Sequence, residues 1–175
     1  MNMKEKILIK KGDIVEEAAD AIVNAANTSL LGGGGVDGAI HKKAGPELLK
    51  ECRKIGGCNT GEAVITKGYD LKVKYVIHTP GPVYRGGSNN EDLLLKKSYH
   101  NSMKIAHEYG LKSICFPAIS TGVYGFPKIK ACEIAIKTVY NFIVDNKYDG
   151  IVKFILFDDD NFEIYKNEIG KYYEL

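Results

Sequence analysis

Residues 21–45, AIVNAANTSLLGGGGVDGAIHKKAG, decide the fold. The opening Ala21-Ile22-Val23 is a short apolar run that stops at Asn24, as a buried strand does. An Asn-rich turn follows, then four consecutive glycines, Gly32 to Gly35. Over residues 36–43 the spacing becomes helical. Strand, glycine turn and helix in immediate succession are the unit from which parallel sheets are built. The glycine run needs its own reason, because glycine loses more backbone freedom on folding than any other residue. Either the run is slack, or the main chain there approaches something closely.

The same alternation continues outward in both directions. Toward the N-terminus, a polar Met-Asn-Met-Lys-Glu-Lys start leads straight into an apolar run over residues 7–9, ended by Gly12-Asp13. Toward the C-terminus, residues 46–55 have helical spacing, with Pro46 suited to a first turn. Residues 63–65 and 73–78 read as strands, the second closed by Thr79-Pro80-Gly81-Pro82. Residues 90–109 predict a long amphipathic helix with Leu93, Leu94, Ser98, Met103 and Ile105 near its seam and Gly110 as its stop. Strands at 113–116 and 151–157 and helices at 129–144 and 162–169 complete the pattern. Short apolar strands with little polar alternation predict a mostly parallel sheet with helices on both faces.

Composition narrows the function. The chain has 175 residues, read as a single domain over 1–175, and 45% of them are hydrophobic, an ordinary globular proportion. Lys and Arg number 24 against 22 Asp and Glu, giving a net charge of +2. That balance leaves no footprint for nucleic acid or a membrane surface, so neither is expected as a partner. No apolar run is long enough to span a bilayer. Cys52, Cys58, Cys115 and Cys132 form no CxxC pair and no signal peptide precedes them, so reduced thiols and a cytoplasmic location are expected. His41, His78, His100 and His107 lack zinc-motif spacing, so no metal and no other cofactor is expected.

In parallel sheets ligands bind beyond the carboxyl ends of strands. Glycine and polar loop residues gather there. In the first loop, residues 31–38, glycines let main-chain N–H groups converge beside a helix N-terminus, a combination that suits phosphate oxygens. The pattern is not a Walker loop, since Ala39 and not Lys follows Gly38. A second loop, FPAISTGVYGFPKIKA over residues 116–131, offers Ser120, Thr121, Gly122, Val123 and Tyr124 ahead of another helix. Two such loops on one edge could grip a diphosphate from opposite sides. Asp13 could accept from an exocyclic amine or cap a short helix. Asn24 and Asn27 could orient a ribose hydroxyl or tie a turn. Asp37 could face a ligand or cap the helix after the glycines, and Phe157 could stack on a base or be core.

Together these residues resemble the MacroD-type branch of the macrodomain family. The resemblance runs from about Ile7 to Tyr165. It rests on GDI at 12–14, IVNAAN at 22–27, GGGGVDGAIH at 32–41, TGEAVIT at 60–66, VIHTPGP at 76–82 and FPAISTGVYGFP at 116–127. Pro80 stands where the family usually has Val, and Phe126 where Tyr is common. The resemblance implies a three-layer α/β/α sandwich with a mixed central sheet and an ADP-ribose cleft. It implies that Asp13 binds the adenine amine, Ile14 lines the base pocket and Phe157 stacks on adenine. The backbone of Gly34, Gly35 and Val36, with that of Ser120, Gly122, Val123 and Tyr124, would hold the diphosphate and distal ribose. Asn27 and Asp37 match the pair used for hydrolysis. Family members with that pair remove mono-ADP-ribose from acidic side chains and hydrolyse O-acetyl-ADP-ribose. The implied partners are therefore ADP-ribose, its derivatives and mono-ADP-ribosylated proteins. A non-catalytic ADP-ribose reader and an ADP-ribose 1″-phosphate phosphatase are the alternatives for the same cleft.

Overall fold

Six strands are present in the computed structural model, which describes residues 2–175: β1 (Ile7–Lys11), β2 (Ala19–Ala25), β3 (Val64–Lys67), β4 (Val73–Thr79), β5 (Ser113–Phe116) and β6 (Ile151–Leu156). They form one sheet in the order β1-β6-β5-β2-β4-β3. Every neighbouring pair is parallel except β3 and β4, which run antiparallel. The sheet is mixed, as expected, with its antiparallel strand at an edge. Six helices accompany it: α1 (Met3–Lys6), α2 (Gly35–Ala44), α3 (Pro46–Ile55), α4 (Glu91–Glu108), α5 (Lys128–Asn146) and α6 (Asp159–Tyr173).

Side chains alternate across the strands and so feed two cores. Ala21 and Val23 enter a large cluster with Leu95 and Tyr99 of α4, Ile136 and Val139 of α5, and Tyr165 of α6. Ile22, between them, enters a second cluster with Ile40 of α2 and Leu48 and Cys52 of α3. Phe154 and Ile155 divide in the same way. This is the three-layer α/β/α sandwich. All four cysteines are free and buried. Burial pushes the Cys52 and Cys58 thiols up to about 11.

Two local expectations need correction. The N-terminal segment does not run straight into β1. It first forms α1, whose start is capped by Asn2, and buries Met3 in the larger core. In α4 the seam is carried by Leu95, Ser98, Tyr99, Ser102, Met103 and Ala106, while Leu93 is 49% exposed. Ser98 and Met103 are buried as expected and Leu94 and Ile105 are half-buried, but Ser102 joins the stripe, and both serines sit close against neighbouring main chain. Ser98 donates to the Pro80 carbonyl and Ser102 to that of Ser98.

Candidate active site

A cleft of about 610 Å³ opens at the carboxyl ends of the five parallel strands. Each strand sends its exit loop into it: Gly12 and Asp13 after β1, Asn27 after β2, Gly81 after β4, Pro117 to Tyr124 after β5, and Phe157 and Asp158 after β6. The position follows from the parallel topology, which opens the loops together at one edge of the sheet.

The four glycines do different jobs. Gly32 and Gly35 have φ of +89° and +57°, which side-chain-bearing residues rarely adopt. Gly33 is a point of close approach: a Cβ there would lie 2.5 Å from Asn27 Nδ2 and 3.2 Å from Asp37 Oδ2. Gly34 has open space around its Cα and lines the cleft with Gly35 and Val36. These are the cap and first turn of α2, so unpaired main-chain N–H groups face the cleft at the positive end of a helix.

Asn27 ties the two loops together. Its Nδ2 donates to the Gly32 carbonyl at 2.8 Å, and its Oδ1 accepts from the Tyr124 hydroxyl at 3.0 Å. In the second loop the N–H groups of Thr121, Gly125 and Phe126 are spent on local carbonyls. Those of Gly122, Val123 and Tyr124 take no main-chain partner among the described residues. Ser120, Thr121, Gly122, Val123 and Tyr124 all line the cleft. The N-terminus of α5 does not, against expectation. Pro127 and Lys128 stay outside its lining, and Phe126 before them is buried with its ring centre 4.8 Å from that of Tyr84. Besides that of α2, the helix start that reaches the cleft is that of α6, through its cap Asp158 and Asn161.

The remaining candidates divide as follows. Asp13 fills both of its readings, since it lines the cleft and its carboxylate accepts from the Val15 N–H at 3.2 Å. Ile14 is buried beside it and Phe157 is 77% exposed at the cleft mouth, so Phe157 is not core. Asp37 lines the cleft, and the α2 cap is Gly34 rather than its carboxylate. Asn24 is fully buried and outside the cleft lining, so it cannot meet a ligand directly. Its Nδ2 lies 2.8 Å from Asp37 Oδ1 and 3.1 Å from Nδ1 of His78, whose Nε2 lies 2.9 Å from Thr66 Oγ1. His41 Nε2 is 3.4 Å from Asp37 Oδ1. Asp37 Oδ2 is buried without a hydrogen-bond partner among the described residues. One oxygen of this carboxylate is thus anchored and the other unspent.

The macro domain family model matches residues 23–135. The chain belongs to the macro domain family. Its relatives include the O-acetyl-ADP-ribose deacetylase of Escherichia fergusonii, 54% identical over 167 residues that span 93% of this chain and 94% of that protein. The enzyme of the same name from Escherichia coli K12 is 52% identical over 168 residues, 94% and 95% of the two chains. The Oceanobacillus iheyensis macrodomain with ADP superposes with a TM-score of 0.93 at 42% identity, covering 99% of this chain and 95% of that one. The Trypanosoma brucei macrodomain in complex with ADP-ribose gives 0.88 at 43% identity, covering 94% and 69%. The sandwich of this macro domain is thus that of its structural neighbours.

Several features of the site had no clear signal in the sequence. Gly33 was hidden within its run, and Gly81, whose missing Cβ would meet Ser120, sits in the 76–82 motif with no role of its own that a sequence pattern announces. Asp158 and Asn161 form a local cap with a recognisable Asp-x-x-Asn spacing, Asn161 N–H donating to Asp158 Oδ1 at 2.7 Å. The His78 and Thr66 contacts depend on strand pairing that no local pattern announces.

Proposed function

We propose that this macro domain binds ADP-ribose and hydrolyses ester-linked ADP-ribose, deacetylating O-acetyl-ADP-ribose and removing mono-ADP-ribose from acidic protein side chains. The observation that carries the reading is the convergence of Asn27 and Asp37 on Gly33, at the end of a cleft walled by main-chain donors. The names of the two deacetylase relatives support the reaction class, and the ligands of the structural neighbours support the ligand.

In this reading the adenine meets Asp13, Ile14 and Phe157, and the two glycine loops hold the diphosphate. Binding energy from these remote groups places the distal ribose beside Asn27 and Asp37. Water attacks the acyl carbon, the bond from that carbon to the ribose oxygen breaks, and that oxygen takes up a proton. The products are a free acid and ADP-ribose. Asp37 Oδ2 either takes the proton of the attacking water or orients the ribose while a substrate phosphate oxygen holds the water. A covalent serine route has no support: Ser120 Oγ is buried without a hydrogen-bond partner, so no base stands beside it among the described residues.

The test combines binding and turnover. Calorimetry should show ADP-ribose binding that weakens in Asp13→Ala. Asp37→Ala should lose about a hundredfold or more in acetate release while still binding ADP-ribose. Wild-type turnover in that variant would remove Asp37 from the mechanism. Binding with no hydrolysis of either ester by the wild-type protein would make it a reader. Phosphate release from ADP-ribose 1″-phosphate in preference to acetate release would make it the phosphatase.

A further inference from the structure

We propose that His78, backed by Thr66, is a positioning residue for Asp37: its tautomer fixes the amide of Asn24, and Asn24 fixes the carboxylate. The proposal rests on the role given to Asp37 above. The three residues cross three strands on one face of the sheet. Asn24 on β2 pairs in register with His78 on β4, and Thr66 on β3 stands two residues beyond Val64, the register partner of His78.

One arrangement of protons makes all the contacts between Asp37, Asn24, His78 and Thr66, and of the amide and ring atoms involved it leaves only Asn24 Oδ1 without a partner among the described residues. An ionised carboxylate only accepts, so the Asn24 atom 2.8 Å from Asp37 Oδ1 is the amide nitrogen. The second hydrogen of that nitrogen is directed to His78 Nδ1 at 3.1 Å, which must therefore present its lone pair. A neutral imidazole with a bare Nδ1 carries its proton on Nε2. Thr66 Oγ1, 2.9 Å away, accepts that proton and passes its own hydroxyl to the Lys67 carbonyl at 3.1 Å. Burial, then the neighbouring His41, holds His78 far below the usual imidazole range at about 3, so a second ring proton is absent near neutrality.

The opposite tautomer would set Nδ1–H against an amide N–H. Asn24 would then have to turn its oxygen toward the carboxylate, placing two acceptors together in a fully buried site. Asp37 would lose its anchor, and Oδ2 would leave its place beside Gly33 and Asn27. The orientation of a group in the cleft is in this way set by a threonine on the edge strand.

The test separates this role from that of an ordinary core histidine. Nitrogen-15 NMR of histidine-labelled wild-type protein should report His78 with a bare Nδ1 and a protonated Nε2. In Thr66→Val, where Nε2–H loses its acceptor, the same signals should report a mixture of tautomers. Thr66→Val removes the acceptor for Nε2–H and should lower kcat for O-acetyl-ADP-ribose by about tenfold or more, with KM and ADP-ribose affinity changed by less than about twofold. Thr66→Ser should restore kcat. A protonated Nδ1 in the wild type, or an unaltered single tautomer in Thr66→Val, would overturn the proposal. So would a folded, ligand-binding Thr66→Val with wild-type kcat. Failure of the wild type to hydrolyse the ester would sink the functional reading alone, since the NMR measurements decide the coupling without turnover.

Discussion

Gly33 shows how narrow the tolerances are where Asn27 and Asp37 meet the cleft. Its Cα separates Asn27 from Asp37, and the missing Cβ would sit within contact distance of both side chains. Gly34, one residue on, has nothing within 4 Å of its missing Cβ and a φ of −92° that alanine accepts. Gly33→Ala should therefore push Asn27 off the Gly32 carbonyl and the Tyr124 hydroxyl, lowering both melting temperature and turnover, the latter by about a hundredfold. Gly34→Ala should leave the melting temperature unchanged. Equal melting temperatures for the two variants would refute the crowding argument. The glycine run was legible in the sequence as a place of close approach, but the division of labour within it was not, because that depends on side chains folded against it from both loops. Asn24 misled for a related reason. It shares a motif with Asn27 but lies three residues earlier in the chain, still within β2, so its side chain is directed into the sheet face rather than the cleft.

Helix α4 matters to the site through its first residue. The Glu91 carboxylate is buried and accepts from the N–H groups of Arg85 at 2.7 Å, Gly87 at 3.0 Å and Asn89 at 2.6 Å. These bonds, that from Arg85 foremost, hold it at about 2, well below the usual carboxylate range. The loop wound around it carries Tyr84, whose N–H donates to the Tyr124 carbonyl at 2.9 Å. Tyr124 in turn donates to Asn27. Because the folded-state value is depressed, the contribution of Glu91 to stability is fully present above its unfolded value of 4.5 and disappears as pH falls toward 2. Glu91→Gln should melt earlier than wild type at pH 7 and lose less on acidification through that window. Parallel melting curves against pH for the two proteins would show that the carboxylate charge is not what binds the loop. The bounds of α4 were legible from its 3.6-residue period and terminal Gly110, and Ser98 and Met103 of its seam with them, while Ser102 was not, since a buried serine hides from an apolar count. The central strands were legible because burial on both faces leaves an unbroken apolar run. Helix α1 was not, because one turn with a single buried Met carries no periodicity.

At the scale of the whole molecule, the near balance of charge conceals an uneven distribution. The charged side chains that line the cleft are Asp13, Asp37 and Asp158, and no Lys, Arg or His lines it among the described residues. Any diphosphate seated there is held by neutral N–H donors and the positive end of α2, with carboxylates as its nearest full charges. Cationic sites attract such ligands at long range and lose affinity as salt screens them; this cleft has no comparable attraction to lose. Raising NaCl from about 50 mM to about 500 mM should therefore weaken ADP-ribose binding by less than about threefold, and it should not weaken it more for ADP-ribose than for the uncharged adenosine fragment. A steep loss of affinity with salt, measured by calorimetry at constant pH, would mean that lysines or arginines beyond the cleft close over the phosphates. The main-chain grip, and with it the reason for stripping side chains from residues 32–35, would then be secondary.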